Sequence, residues 1–357
     1  MKVAYIFNDS FYDQFLTVTN SILKNEKKEL ANSIEFYIAF FGKEESVEPL
    51  LKLSSTYFPN NKFYIKHVPT EFADLCAKYE SSYDKKKATV KDSSVLARFD
   101  LDIFWPEVTD RILYLDLDLI VRGSLSELFD SSDKDSLMSA CWSNEILASE
   151  LESWSTLGNI PKAQKKYYDY LREFRDNLEK IYNNQLVHSP DKSLNADSYE
   201  ELSTKEYNLL SPALNAGVFI LNMEKYRKDS SLRRNIEFLK ALNRFGMLFK
   251  YNDQSIFNIC FYDQIDWIDP RWNRLHYGWY KPGHFEKGKA DFIDAKIVHY
   301  NGEYKPWLFK DSDEFGLIDD VDPAVLRHFR FMSKWDDSDE YFKPGRKLWK
   351  EHELCEK

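Results

Sequence analysis

Glycine is scarce in this chain, 11 residues in 357, so glycine-rich loops that wrap a phosphate chain have few places to form. The stretch after the first apolar run, "YIFNDSFYDQF", holds neither glycine nor lysine. Cysteine is rarer still: Cys76, Cys141, Cys260 and Cys355 lie far apart and none belongs to a C-x-x-C. Neither a zinc site nor a disulfide framework is suggested, and the four read as reduced thiols. An excess of positive charge is missing too. Lys and Arg number 49 against 59 Asp and Glu, a net charge of −10, whereas non-specific nucleic-acid binding needs clustered cations that displace counterions. Long apolar runs are absent. The opening "MKVAYIF" gives way at once to Asn8 and Asp9, too soon for a signal-peptide core, and no later run approaches a membrane span. The expectation is a cytoplasmic protein, with at most peripheral contact at the inner face of a membrane.

What the chain does have is apolar material. A hydrophobic share of 43% and an aromatic share of 16% can fill the core of one large α/β domain or two smaller ones. Short apolar or alternating runs at 2–7, 34–40, 62–68, 111–115, 136–141, 216–221 and 296–300 predict strands. Between them lie helical stripes, such as Phe15, Val18, Thr19 and Ile22, or Leu232, Ile236 and Leu239. Alternation of strand and helix predicts an α/β fold with a largely parallel sheet, whose ligands bind beyond the carboxyl ends of the strands. Asn8 and Asp9 after the first strand, and Asp116 and Asp118 after the fourth, would then share one cleft.

Residues 143–210 interrupt this rhythm with a stripe of Tyr167, Tyr170, Leu171, Phe174, Leu178 and Ile181, followed by a polar stretch. They read as an insertion and a candidate acceptor-site element, because aromatic faces suit sugars. The tail, 311–357, mixes aromatic and basic residues in "PAVLRHFRFMSKW" and "KPGRKLWKEHELCEK". It reads as a helical cap, with a weak membrane or partner contact as the other reading.

"RILYLDLDLIV", residues 111–121, places Asp116 and Asp118 inside an apolar run. An unpaired buried carboxylate costs several kcal/mol or takes up a proton, so two of them call for a cation. In an extended chain side chains two apart share a face, so both carboxylates can address one point while Leu115, Leu117 and Leu119 face the core. An Asp-x-Asp alone is equally an acidic turn, and context must decide.

The context is an ordered set: "ARFDLDIFWPEVTDRILYLDLDLIVRGSLSELF" from Ala97, "LNAGVFILNM" from Leu214, "YNDQSIFN" from Tyr251 and "HYNGEYKPW" from His299. Together these resemble the family 8 glycosyltransferases, retaining GT-A enzymes that include bacterial lipooligosaccharide galactosyltransferases and glycogenin. The likeness extends over 1–310, the implied catalytic domain, apart from 143–210, and does not cover the tail. It implies a Rossmann-like GT-A fold: a single mixed, mostly parallel sheet flanked by helices, with a helical insertion and a C-terminal helical tail.

It further implies metal-dependent transfer of a hexose from UDP-galactose or UDP-glucose to a hydroxyl of a carbohydrate acceptor, with retention. The setting would be synthesis of a cell-surface polysaccharide, lipooligosaccharide or glycoprotein glycan. Asp116, Asp118 and His299 would hold Mn²⁺, with Mg²⁺ as a weaker substitute. Lys305 would contact the diphosphate and Gly302 would let the backbone approach it. Leu117, between the two acids, would line the donor. Asn8 and Asp9 match the base- and ribose-binding turn, though a helix cap explains them equally. Arg98 would touch sugar hydroxyls or phosphate, unless it is a surface arginine. Asn215 and Ala216 match a sugar-facing turn, or a plain strand start. Asp253 would bind sugar hydroxyls and Gln254 would face the reacting carbon, while Asn252 or Asp253 can also cap a helix.

One departure stands out: family members often carry an acidic residue where this chain reads Ser143, after Ala140, Cys141 and Trp142. Two other functions stay open. A sugar-1-phosphate nucleotidyltransferase would want a glycine- and lysine-bearing loop after the first strand, which is lacking. A catalytically silent GT-A-fold binding protein would have no need of Asp116, Asp118, His299 and Lys305 together.

Overall fold

The computed structural model describes residues 1–69, 95–143, 172, 175–180, 182–183, 195–205, 213–244, 252–276, 292–301, 305–309, 316–318, 321, 323, 326, 330 and 338–354. Its strands are β1 (Lys2–Phe7), β2 (Glu35–Phe40), β3 (Lys62–His67), β4 (Arg111–Leu115), β5 (Leu119–Val121), β6 (Met138–Ser143), β7 (Ala213–Asn222), β8 (Ile265–Ile268), β9 (Arg274–Leu275) and β10 (Ile297–His299). The chain forms two compact units. Met1–His67, Leu113–Ser132 and Ile268–Lys357 make the first; Val68–Ile112 and Asp133–Trp267 make the second.

In the first unit β3, β2, β1 and β4 lie side by side, all parallel, with Lys2 opposite Glu35 and Val3 opposite Leu113. Val3 to Phe7 are all buried, as expected of a strand covered on both faces. The helix Tyr12–Asn25 turns the predicted stripe of Phe15, Val18, Thr19 and Ile22 inward. Phe15 meets Tyr5 edge-on at 5.6 Å and stacks on Phe7 at 5.2 Å, arrangements that add to simple burial.

β4 stops at Leu115. After Asp116, Leu117 and Asp118 the chain resumes as β5, in a second sheet of order β5-β10-β9. β5 runs antiparallel to β10, with Leu119 opposite His299, and β10 runs parallel to β9. Leu115, Leu117 and Leu119 are buried, as predicted. The tail ends in a helix, Ser338–His352, whose buried Trp349 meets Trp307 at 4.8 Å and Tyr300 at 5.7 Å. The Asn20 side-chain amide donates to the carbonyl of His352 at 2.7 Å, tying that helix to Tyr12–Asn25.

The second unit contains β7, β6 and β8 in that order. β6 and β7 are antiparallel, but the register jumps from Ala140 opposite Phe219 to Trp142 opposite Leu214, leaving residues 215–218 as a bulge. The helix Ser230–Arg244 buries Leu232, Ile236 and Leu239, as predicted. It also pins the short helix Val95–Asp100: Lys240 Nζ lies 3.1 Å from the buried Asp100 carboxylate. Arg233 grips Asp102 with two bonds of 2.6 Å. Of the insertion, Leu178 is buried and Tyr182 stacks on Tyr199 at 4.0 Å. Tyr167, Tyr170, Leu171, Phe174 and Ile181 lie outside the described residues. Among the described residues no helix is long and apolar enough to cross a membrane.

Two stability predictions follow from these contacts. Lys240→Ala leaves the buried Asp100 carboxylate with Arg233, 3.6 Å away, as its remaining cation, and urea denaturation should show a loss of about 3 kcal/mol, the low end for a broken buried pair. The second concerns Glu26. Burial would raise its carboxyl, but bonds from the Ser126 N–H, the Ser124 hydroxyl and the Lys27 N–H outweigh this and hold it below its ordinary 4.5. A carboxyl lowered in the folded state stabilises above its unfolded value, and that stabilisation disappears as pH falls through the folded value. Glu26→Gln should therefore flatten the decline of the urea midpoint below pH 4.5, where the parent titrates.

Candidate functional site

The first unit brings Asp116, Asp118 and His299 together through strand pairing. His299 sits opposite Leu119, and the Tyr300 N–H donates to the Asp118 carbonyl at 2.7 Å, extending the ladder by one step. His299 Nε2 lies 3.1 Å from Asp118 Oδ1 and 3.8 Å from Asp116 Oδ2. One donor atom from each of the three falls within 4.8 Å of the others. Asn273 orients the ring: its Oδ1 lies 2.8 Å from His299 Nδ1 and can only accept, so Nδ1 carries the proton and Nε2 faces the carboxylates. The Tyr114 hydroxyl donates to Asp116 Oδ1 at 2.8 Å. Lys305 Nζ donates to Asp118 Oδ2 at 2.5 Å and to the Tyr300 carbonyl at 2.7 Å. Leu117, between the two acids, is buried.

Burial opposes ionisation of Asp118, yet the Lys305 ammonium and the His299 ring outweigh it and hold the carboxyl far below its usual range. Burial likewise pushes His299 down, and the carboxylates of Asp118 and Asp116 more than reverse this. Two hard carboxylates and one oriented imidazole form a donor set suited to a divalent cation that accepts oxygen and nitrogen. The residues present fit a metal of that kind.

The second unit assembles the other group. Arg98, nearly buried, donates from Nη1 to Asp253 Oδ2 at 2.8 Å and to the Ala216 carbonyl at 3.2 Å, so it is not a surface arginine. Asn215 Oδ1 accepts from the Gly217 N–H at 3.0 Å, and its Nδ2 donates to Gln254 Oε1 at 3.2 Å. These bonds occupy the bulge of β7 and the first turn of the helix Asn252–Cys260. Gln254 Nε2 is buried and has no hydrogen-bond partner among the described residues. A buried donor left so costs about 1–3 kcal/mol, which a ligand acceptor would recover.

Asn8 and Asp9 form a separate turn. Asn8 Oδ1 accepts from the Ser10 N–H at 3.0 Å, so the helix-cap reading of Asn8 is met. Asp9 accepts from the Tyr12 hydroxyl at 3.0 Å and from the Lys43 N–H at 2.9 Å. Gly42 makes room for this: a Cβ there would lie 2.5 Å from Asp9 Oδ2 and 2.2 Å from Phe40 Cζ. Gly302 lies outside the described residues. Sequence reasoning overlooked Tyr114, Asn273 and Asn258. Tyr114 carried a signal, being two residues from Asp116 on an extended run, and Asn258 closes the stretch "YNDQSIFN".

The fold of this chain is that of the GT-A glycosyltransferases. Over 94% of its length it superposes on an active-site mutant of LgtC, covering 95% of that chain, with a TM-score of 0.54 at 15% identity. The galactosyltransferase LgtC in complex with donor and acceptor sugar analogs gives 0.51 at 16% identity, covering 94% of this chain and 96% of that one. The apo form of the glycosyltransferase GlyE of Streptococcus pneumoniae gives 0.51 at 15%, covering 99% of this chain and 60% of that one. The chain belongs to glycosyl transferase family 8, whose model matches residues 2–311. Among curated relatives, glycosyltransferase 8 domain-containing protein 1 of Danio rerio is 27% identical over 300 residues, 82% of this chain and 70% of the relative. Its Rattus norvegicus counterpart is 26% identical over 82% of this chain and 69% of the relative.

Asn273→Ala should leave all three ligands in place but free the ring of His299. Partners of this kind contribute about 10–100-fold to metal affinity, and titration calorimetry with Mn²⁺ should show a loss in that range.

Proposed function

We propose that this protein is a metal-dependent, retaining hexosyltransferase that moves galactose or glucose from its UDP-sugar to a hydroxyl of a carbohydrate acceptor. The observation that carries the reading is the Asp116–Asp118–His299 cluster, drawn within 4.8 Å in a chain of family 8. A divalent ion, Mn²⁺ in this reading, would be held by those three residues and would supply charge stabilisation for the departing diphosphate. Lys305, already beside Asp118, adds a positive charge to the same place, Leu117 would line the donor, and Gly302 would let the backbone approach the diphosphate.

In the second unit Asp253, held by Arg98, would bind sugar hydroxyls together with Asn215 and the Ala216 backbone. Gln254, whose Nε2 lacks a protein acceptor among the described residues, would face the anomeric carbon. Asn8 and Asp9 would read uracil and ribose. The bond from the anomeric carbon to the diphosphate oxygen breaks, and a bond to the acceptor oxygen forms on the same face. The acceptor's proton passes to the departing phosphate oxygen. Gln254 is a poor nucleophile and Asp253 is engaged by Arg98, so no free carboxylate is assigned to attack or to act as base. Cytoplasmic action, with no more than peripheral membrane contact through 311–357, completes the reading.

A screen of common UDP-sugars, read by released UDP, tests the donor. Asp116→Ala and Asp118→Ala should each reduce release to background, and near-normal turnover of either at saturating Mn²⁺ would remove the metal assignment. His299→Ala should be milder, raising the metal concentration needed. Proton NMR of the first product should show the donor's α configuration; a β-linked product would end the retaining reading.

A further inference from the structure

Asn258 has no part in the chemistry above, yet its side chain meets backbone at both places where the sugar-directed groups of the second unit arise. Its Oδ1 accepts from the Leu214 N–H at 2.8 Å, and its Nδ2 donates to the Leu214 carbonyl at 3.2 Å and to the Gln254 carbonyl at 2.8 Å. One carboxamide thus offers Leu214 the donor and acceptor that a neighbouring strand would offer. Leu214 is where β7 leaves its ladder with β6, at the edge of the bulge that carries Asn215 and Ala216. Gln254 lies one helical turn before Asn258 on Asn252–Cys260. The same side chain therefore latches the bulge to the helix start, and across that latch runs the 3.2 Å bond from Asn215 Nδ2 to Gln254 Oε1.

We propose that Asn258 is a positioning residue: it fixes Gln254 against Asn215, so that the Gln254 Nε2 donor stays directed at its ligand. The proposal rests on the transferase reading given above. Asn258 touches neither the Asp116–Asp118–His299 cluster nor Lys305 in any described bond, so its effect falls on turnover and not on the hold upon UDP.

The test compares Asn258→Ala with Asn258→Asp, which is isosteric and keeps the acceptor for the Leu214 N–H but offers no donor to either carbonyl. A misplacement near 1 Å costs about 10²-fold in rate, so kcat for transfer and for donor hydrolysis should fall by that order in both variants. The dissociation constant for UDP with Mn²⁺, from calorimetry, should be unchanged. Should the alanine variant lose its cooperative melt, the aspartate variant carries the comparison. Parental kcat in a folded variant overturns the proposal. Loss of UDP binding in step with kcat also overturns it, because it marks a general structural role. If the parent protein turns over no UDP-sugar at all, the transferase reading fails first and the positioning role falls with it.

Discussion

Charge compensation across a strand pair is the constraint on which the Asp116–Asp118–His299 cluster depends. Asp116 and Asp118 stand in a run that is otherwise buried, where the Tyr114 hydroxyl already donates to Asp116. The compensation comes from β10 and the residues after it, which bring an imidazole and an ammonium to Asp118. The antiparallel register of β5 and β10 is thereby tied to the chemistry. A slip of one residue would turn His299 to the opposite face, away from both carboxylates. Asn273 and Tyr114 then fix the ring and one carboxylate, so that the donor set is oriented before any cation arrives.

The second unit solves a different problem with mostly neutral groups. Arg98 and Asp253 balance each other at 2.8 Å, which leaves the carboxamides of Asn215, Gln254 and Asn258 to define the geometry. Amide to amide bonds are directional without being strong, so a site built from them is shaped by backbone placement. Here the placement comes from a bulge in β7 and the buried pair of Lys240 with Asp100, which anchors the short helix bearing Arg98.

The legible parts of the sequence were those with a period or a contradiction. β1 to β4, β6, β7 and β10 fall on apolar runs, and the helical stripes at Phe15 and Leu232 face inward as their spacing demands. β5, β8 and β9 are too short for a period to register. The two acids announced themselves by interrupting an apolar run, whereas His299 depended on the order of family motifs. Two pairings were missed. Lys305 pairs with Asp118 and Arg98 with Asp253, in addition to the diphosphate and sugar contacts that the resemblance implies for them. Long-range ion pairs leave no trace in local pattern. Asn258 closes the quoted stretch "YNDQSIFN" without a role being legible there, and Asn273 stands outside every such stretch: asparagine is so common at turns and caps that its presence says nothing by itself.

The separation of Asp118 from its partners has a consequence for the chain as it emerges during synthesis. Lys305 lies 187 residues after Asp118, and closing so long a loop must precede any reward from the contact. Until β10 has been made, the growing chain carries both acids with neither imidazole nor ammonium to meet them. A product that stops earlier retains the negative pair and lacks the imidazole and the ammonium that meet Asp118. The three donor groups of this cluster therefore come together only once β10 has paired with β5.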